Sequence, residues 1–275
     1  KTSTVDFIKF PNDIQALANN GRIEAFFLPA GSSVADAHNI LAAALPLAYH
    51  PDVKTVATIG IGSGKTSHVI LYDPGIRSVD IVEIESAMVE GARGFGRRVA
   101  NTFNDPRSFI HIEDAKTFFT RHNRKFDLII SFPSPPWVSG VAGLFSKEFY
   151  RIIKSYLKND GLFVQWVTLF EVDVSLVASI VKALTLNFAD YTVYFTDDNN
   201  MMMVASQKKL PADPDDRIFE IKGIKNELAH IGIYNLDDFK LRKLGDKKIL
   251  DPFFNSYDIA ANSDFFPILD FGSIK

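Results

Sequence analysis

The stretch that decides the fold is Thr55-Val-Ala-Thr-Ile-Gly-Ile-Gly-Ser-Gly-Lys-Thr-Ser67, in which an apolar, β-branched run meets three glycines. It predicts a strand, a tight turn and a helix that continues through His68-Val-Ile-Leu-Tyr72. Such a turn needs glycine because side chains forbid its backbone angles and because a ligand must approach the bare peptide at the helix N-terminus. The stretch therefore indicates a site for a nucleotide or nucleoside.

Composition excludes several classes of protein. The chain has 275 residues, of which 47% are hydrophobic, so one large domain with appendages is expected. A net charge of −3 provides no basic field for a phosphate backbone, which argues against a nucleic-acid partner. The absence of cysteine excludes disulfides, thiolate zinc sites and cysteine nucleophiles, and it fits a reducing compartment.

The order of the predicted elements divides the chain into three regions. Residues 1–33 carry two short predicted strands, at 3–10 and 22–28, and form a β appendage. Residues 34–206 alternate strands and helices, which predicts an α/β fold: a parallel sheet covered by helices on both faces and closed by an antiparallel hairpin. Residues 207–275 form a helical tail whose apolar end is expected to pack on the main domain.

The sequence predicts the bounds of four helices that a structure can test. One is predicted over 34–49, with a bend or a division at Pro46, and another over Ser86–Ala100, with Ser86 as its cap. The tail is predicted to contain helices over 217–230 and 237–244.

The spacing of the glycines narrows the class of ligand. The register is G-x-G-x-G, whereas a dinucleotide fingerprint needs its third glycine one place later, where this chain has Lys65. Gly64-Lys65-Thr66 resembles the end of a phosphate-binding P-loop, but the first glycine of that motif falls on Ile59. A glycine turn that binds nothing is the remaining structural alternative.

Two acidic residues follow the next two predicted strands. Glu83 lies about 20 residues beyond the glycines, where a carboxylate can accept hydrogen bonds from ribose hydroxyls. Asp114 ends the third strand and could accept a hydrogen bond from an adenine amino group, or cap the following helix, or do both. For Glu83 the alternative is a solvated carboxylate at a strand end.

Polar and aromatic residues after the fourth and fifth strands are expected at the same edge of the sheet. The loop Ser131-Phe-Pro-Ser-Pro-Pro-Trp-Val-Ser-Gly140 is stiffened by three prolines, and Trp137 either stacks on a ligand or plugs the loop. Gln165 is a substrate contact or a core amide, and Glu171 is a substrate contact or, with Asp173, part of a helix cap. The six histidines show no metal-ligand spacing and no nucleophile elbow is present, so no metal and no hydrolase triad are expected.

Together, the glycine turn, the Glu83 strand and Glu113-Asp-Ala115 resemble a class I S-adenosylmethionine-dependent transferase domain. Three further stretches are similar to the spermidine synthase family: His38-Asn-Ile-Leu41, Trp137–Tyr150 and Gly161-Leu-Phe-Val-Gln-Trp166. They are most similar to its bacterial branch in which this domain is fused to a membrane-spanning region. A cytoplasmic location is expected, and tethering to the inner face of a bacterial membrane is left open. Because the chain begins with Lys1 rather than Met, it is also left open whether it is a piece of a longer protein.

The resemblance implies a Rossmann-like, seven-stranded sheet, a homodimer, a polyamine acceptor and S-adenosylmethionine or its decarboxylated form as donor. The residues assigned to the donor are Gly60, Gly62, Ser63, Gly64, Glu83, Ile84, Asp114, Ala115 and Ser131. Those assigned to the acceptor side are Trp137, Gln165 and Glu171.

The loop after the fourth strand departs from the family pattern. Aminopropyltransferases carry two aspartates there, one to take the proton of the attacking amine and one to hold it; the matching positions here are Phe132 and Pro135. No catalytic residue is assigned for that reason. Three functions stay open: aminopropyl transfer, methyl transfer to an acceptor that is already nucleophilic, and a non-catalytic nucleoside-binding module attached to a membrane protein.

Overall fold

The computed structural model describes residues 4–29, 36–138, 140–170 and 172–271, and this part of the chain forms two β-sheets and eleven α-helices. The strands are β1 (Val5–Lys9), β2 (Gln15–Asn19), β3 (Arg22–Phe27), β4 (Thr55–Ile59), β5 (Ser78–Glu83), β6 (Ser108–Ile112), β7 (Phe126–Ser131), β8 (Leu157–Thr168), β9 (Asp190–Asp197), β10 (Asn200–Ser206) and β11 (Lys243–Asp246). The helices are α1 (Ala37–Tyr49), α2 (Lys65–Ile70), α3 (Ser86–Arg93), α4 (Ala100–Asn104), α5 (Ala115–His122), α6 (Lys147–Ser155), α7 (Val174–Thr185), α8 (Lys222–His230), α9 (Leu236–Lys240), α10 (Lys247–Asn255) and α11 (Ile268–Phe271).

The large sheet has the strand order β11-β9-β10-β8-β7-β4-β5-β6. Strands β4 to β8 pair in parallel, whereas β10 pairs antiparallel with both β8 and β9. The α/β fold predicted from the alternation of elements is confirmed, including the closing hairpin. The chain leaves β4 for β5 on one side and returns to β7 on the other, so β4 marks the point at which the strand order reverses. Open α/β sheets bind ligands beside the carboxyl ends of the strands at such a point.

Burial on both faces of the sheet explains the apolar runs of the central strands. Val56 of β4 packs into one hydrophobic cluster and Ala57 into the other, because successive side chains of a strand point to opposite faces. Phe126–Ser131 of β7 is buried at every position. A strand covered on both faces is therefore held in place along its whole length, which fixes where its carboxyl end lies.

The appendage is a separate sheet of three antiparallel strands rather than two. The additional strand, β2, was missed because its sequence, Gln-Ala-Leu-Ala-Asn, is short and low in β-branched residues. Its Leu17 side chain packs on α3 at Gly91, where an added Cβ would clash with it. The small residues of α3 thus allow the appendage to lie close to the main domain.

The structure corrects all four of the predicted helices. The one predicted over 217–230 is α8, which begins only at Lys222, after a 3-10 turn at Asp216–Glu220. The helix predicted over Ser86–Ala100 ends at Arg93, and α4 begins only at Ala100, after a 3-10 turn in which Gly96 has φ +62°. Its cap is Glu85, whose carboxylate accepts from the Ala87 N–H at 3.4 Å, and not Ser86. Pro46 does not divide α1, which runs unbroken through that residue to Tyr49.

In the tail, the segment predicted as a helix over 237–244 is a short helix, α9, followed by a strand. The strand, β11, pairs antiparallel with β9 and adds an eighth strand to the seven expected in the sheet. Helix α8 is held to the main domain by Glu227, whose carboxylate accepts from Lys65 Nζ at 2.7 Å. None of the helices in the described ranges is both long and apolar enough to cross a membrane.

Candidate functional site

A cavity of about 920 Å³ opens at the carboxyl edge of the sheet, where β4, β5 and β7 end. The glycine turn forms its floor, the loop after β7 forms one wall, and residues of β3 in the appendage close another. The hairpin between β9 and β10 contributes Asn199 and Asn200. The cavity therefore lies at the position that the reversal of strand order predicts for a ligand.

The glycine turn approaches the cavity with bare backbone. Gly60 has φ +87°, and a Cβ added there would lie 2.6 Å from the backbone oxygen of Phe132, so this glycine is required by packing. Gly62 has φ +51°, and a Cβ added there would meet nothing within 4 Å. Both glycines adopt a left-handed conformation that other residues rarely take. Gly62 therefore leaves space that a ligand could occupy.

Glu83 is the best-defined polar group of the site. Its side chain is 8% exposed and lines the cavity. One carboxylate oxygen accepts from the Ile61 N–H at 3.0 Å and the other from the Glu85 N–H at 2.9 Å. Burial raises the pKa of Glu83, and these backbone donors oppose that rise by stabilising the ionised form. Each oxygen keeps a second lone pair for a hydroxyl donor from the cavity.

Asp114, Ala115 and Ile84 lie on the same side of the cavity. Asp114 caps α5, since its Oδ1 accepts from the Thr117 N–H at 2.9 Å. Its second oxygen is not used by that cap, so the capping role and a ligand role are compatible. Ile84 leaves 71% of its surface exposed, which is unusual for an aliphatic residue beside a buried carboxylate. This corner offers a flat apolar contact next to hydrogen-bond acceptors.

The opposite side of the cavity is aromatic. The rings of Phe132 and Trp166 stack with centroids 4.9 Å apart at an interplanar angle of 12°. The imidazole of His38 lies 5.7 Å from the Phe132 ring and 6.4 Å from the Trp166 ring. All three residues line the cavity. The face of an aromatic ring carries partial negative charge, so this wall suits a cation. A cation without N–H donors fits best, because it needs no carboxylate as a partner.

The appendage contacts the loop after β7 directly. Ser134 Oγ donates to Glu24 Oε2 at 3.0 Å, and the Arg22 guanidinium lies 5.6 Å from the centroid of the Trp137 ring. Trp137 packs in this contact and is not among the residues that line the cavity. Of its two predicted roles, the geometry corresponds to the one in which the ring plugs the loop.

The structure brings most of the predicted donor residues together. The cavity is lined by Gly60, Gly62, Ser63, Glu83, Ile84, Asp114 and Ala115. Gly64, Ser131 and Gln165 are not among the lining residues; the last two have no exposed surface, and the Gln165 amide donates to the backbone oxygen of Trp166 at 3.0 Å. The structure thus places Gln165 as a core amide. Glu171 lies outside the described residues, and Asp173 caps α7.

Several residues of the cavity carried no signal in the sequence. Arg22 and Glu24 come from the appendage, and Asn199 and Asn200 from the hairpin, at sequence distances that no local pattern reveals. His38 belongs to a stretch that resembles the family. Its contact with Asp197, at 3.5 Å, could not be predicted from the sequence. Only the folded sheet brings α1 and the end of β9 together.

Within the described ranges, His111, Glu113 and His122 bring possible metal-ligand atoms within 4.8 Å of one another. The group lies beside the edge strand β6. Its carboxylate already faces Arg121 at 3.5 Å and His122 at 3.6 Å. The spacing of the histidines did not indicate this group. His111 lies on β6 and His122 at the end of α5, so only the fold brings them together. The adjacent guanidinium disfavours a cation, and no metal is assigned to it.

Residues 37–211 match the family of the spermine/spermidine synthase domain. This chain belongs to the spermine/spermidine synthase family. The polyamine aminopropyltransferase of Desulforudis audaxviator (strain MP104C) is 33% identical over 120 residues, which cover 44% of this chain and 43% of that relative. The polyamine aminopropyltransferase of Clostridium perfringens (strain SM101) is 36% identical over 120 residues, which cover 44% and 42%. The alignments thus span less than half the length of these curated relatives.

Solved structures of the spermidine synthase family show the same fold. A spermidine synthase in complex with the transition-state analogue AdoDATO has a TM-score of 0.73 at 20% identity, over 94% of this chain and 86% of that one. The spermidine synthase from Thermotoga maritima has a TM-score of 0.69 at 20% identity, over the same shares. A human methyltransferase-like protein 13 in complex with SAH reaches 0.50 at 17% identity, over 74% of this chain and 91% of that one. Family membership therefore rests on the sequence match, and these likenesses confirm the Rossmann-like fold.

Proposed function

We propose that this chain binds decarboxylated S-adenosylmethionine at the glycine turn and transfers its aminopropyl group to an amine. The observation that carries the proposal is the buried Glu83 carboxylate, held by two backbone N–H groups against the turn and open to the cavity. The family match and the names of the aligned relatives, polyamine aminopropyltransferases, support the same reaction.

Each part of the donor has a complementary part of the cavity. The ribose hydroxyls donate to Glu83, and the adenine amino group donates to Asp114 while its ring lies against Ile84 and Ala115. Gly62 leaves its backbone bare where the nucleoside crosses the turn. We assign the sulfonium to the Phe132–Trp166 side, because stacked rings stabilise a cation that has few hydrogen-bond donors.

The reaction is an in-line displacement at the carbon next to the sulfonium. The amine nitrogen forms a bond to that carbon, the carbon–sulfur bond breaks, and its electron pair goes to sulfur to leave a neutral thioether. The positive charge of the sulfonium already activates the carbon, so the main contribution of the protein is to align the two reactants. The aromatic wall also excludes water, which would otherwise compete with the amine.

Calorimetry followed by product analysis tests this proposal. The chain is titrated with decarboxylated S-adenosylmethionine, S-adenosylmethionine and methylthioadenosine, and is then incubated with each donor and a panel of diamines and polyamines for mass spectrometry. We expect tightest binding of the decarboxylated donor and a product heavier than the acceptor by one aminopropyl group. A product heavier by one methyl group would establish methyl transfer instead. Binding of nucleosides without any product would indicate the non-catalytic module.

Two further expectations from the sequence remain proposals, namely the homodimer and the attachment to a membrane region. Light scattering on the purified chain tests the first. The second requires the sequence that surrounds this chain in its gene, which either does or does not encode hydrophobic spans.

A further inference from the structure

The cavity contains a histidine whose environment is organised as that of a proton acceptor. His38 lies on the first turn of α1, lines the cavity beside Phe132 and Trp166, and has 19% of its side chain exposed. Its Nδ1 faces the Asp197 carboxylate at 3.5 Å. The carboxylate is 13% exposed and comes from the end of β9, which lies four strands away from β4 and its glycine turn in the sheet.

Hydrogen bonds on both sides of the ring define its tautomer. The Asn200 amide donates to both oxygens of Asp197, at 2.8 and 3.0 Å, and thereby holds the carboxylate towards His38. On the other side, the Thr66 hydroxyl lies 3.3 Å from Asn39 Oδ1, which turns the Asn39 amide nitrogen towards His38 Nε2 at 3.0 Å. This arrangement leaves the proton on Nδ1, next to the carboxylate, and a lone pair on Nε2.

Two carboxyl groups interact with the His38 ring. Burial opposes ionisation of Asp197, but the hydrogen bonds from His38, the Asn199 backbone and Asn200 prevail and lower its pKa below the usual value. The second carboxyl group that acts on His38 is that of Asp36, immediately before α1. Phe132 and Trp166, which pack against the ring from the loop after β7 and from β8, carry no charge, and neither does Asn39, the next residue on α1. The Asp197 carboxylate is therefore held in its ionised form beside the ring.

We propose that His38 Nε2 accepts the proton of the attacking amine and that Asp197 positions and stabilises it. The inference rests on the proposed aminopropyl transfer and supplies the base that Phe132 and Pro135 cannot provide. The amine N–H takes the place of the Asn39 amide as the donor to Nε2. As the carbon–nitrogen bond forms and the carbon–sulfur bond breaks, the proton moves from the amine nitrogen to Nε2, and it then leaves to solvent through the exposed edge of the ring.

The experiment compares two histidines on one helix. His50 is the C-terminal cap of α1, is 3.9 Å from Asp160, and does not line the cavity, so His50→Gln is the matched control for His38→Gln. Thermal melting and the affinity for methylthioadenosine show whether each variant is folded and retains its donor site. Aminopropyl transfer is measured as kcat and KM across pH with decarboxylated S-adenosylmethionine and the best acceptor amine.

We expect His38→Gln to lower kcat at least about 100-fold with little change in methylthioadenosine affinity, since general base catalysis typically contributes 10²–10⁴-fold. Asp197→Asn should lower kcat about 10-fold, because the ring loses the carboxylate that positions it. In His38→Ala, added imidazole should restore activity, which a purely structural role would not allow.

The outcomes separate this inference from the proposed function. If His38→Gln and His50→Gln both transfer within threefold of the unchanged chain, the inference is overturned while aminopropyl transfer stands. If the unchanged chain yields no product with any amine, the proposed function fails and the role of His38 fails with it.

Discussion

The two glycines at the turn should respond differently to the same substitution. At Gly60, alanine costs about 1–2 kcal/mol for its left-handed backbone and a further 1–3 kcal/mol for the 2.6 Å contact with the Phe132 oxygen. At Gly62, alanine costs only the backbone strain, since its Cβ meets nothing within 4 Å. At about 2 °C per kcal/mol for a chain of this size, we expect the melting temperature to fall by about 6 °C for Gly60→Ala and about 2–4 °C for Gly62→Ala.

Gly62→Ala should weaken ligand binding although it destabilises the fold less than Gly60→Ala. The methyl group of Gly62→Ala enters the space assigned to the donor, so its methylthioadenosine affinity should fall at least about tenfold despite the mild loss of stability. Gly232 supplies the control, because it also has a left-handed φ of +76° with nothing within 4 Å of an added Cβ, and it lies outside the cavity. Gly232→Ala should match Gly62→Ala in scanning calorimetry and match the unchanged chain in titration calorimetry. Equal melting temperatures for Gly60→Ala and Gly62→Ala, or unchanged affinity in Gly62→Ala, would refute this reasoning.

Two further predictions concern the helix that follows the turn. Burial, with a contribution from Lys65, lowers the pKa of His68 to about 4, so between pH 6.5 and 4 the unfolded chain binds a proton that the folded chain does not. The free energy of unfolding, measured in urea titrations, should therefore fall by about 2–3 kcal/mol between pH 7.5 and 4.5. His68→Gln should remove most of this pH dependence, and an equally steep dependence in the variant would contradict the prediction. Lys65 and Glu227 form a 2.7 Å ion pair, and their side chains are only 7% and 15% exposed. Lys65→Met should therefore lower the free energy of unfolding by about 3 kcal/mol, and adding Glu227→Leu should recover most of that loss. Additive losses in the double variant would argue against a coupled pair.

Local patterns in the sequence were sufficient for the parallel core of the fold and for one side of the site. The β-branched run before Gly60 and the carboxylate at Glu83 belong to neighbouring strands, and parallel pairing forces their carboxyl ends together. Periodicity alone therefore located the glycine turn, Glu83 and Asp114 at one edge. It failed where pairing is non-local: β11 joins β9 across about 50 residues of sequence, and its short stretch resembles the end of a helix.

The pair of His38 and Asp197 was beyond sequence reasoning for the same physical cause. His38 and Asp197 are 3.5 Å apart in the fold and about 160 residues apart in the chain. Neither belongs to a motif whose spacing encodes chemistry. Gln165 shows the opposite error, since a polar residue at a strand end suggested a ligand contact, whereas its side chain is fully buried and donates to backbone. Burial of this kind depends on which elements cover the strand, which no single stretch determines.

The central claim is that Glu83 holds the ribose of an adenosyl donor, and a thermodynamic cycle tests it most directly. Methylthioadenosine and its 2′,3′-dideoxy analogue are titrated calorimetrically into the unchanged chain and into Glu83→Gln, with exposed Glu90→Gln as control. Hydrogen bonds to a charged group contribute about 1.5–3 kcal/mol each, so removing the hydroxyls should weaken binding at least about tenfold in the unchanged chain and have little effect in Glu83→Gln. If the loss is the same in both proteins, Glu83 does not bind the ribose, and the donor site assigned to this cavity is wrong.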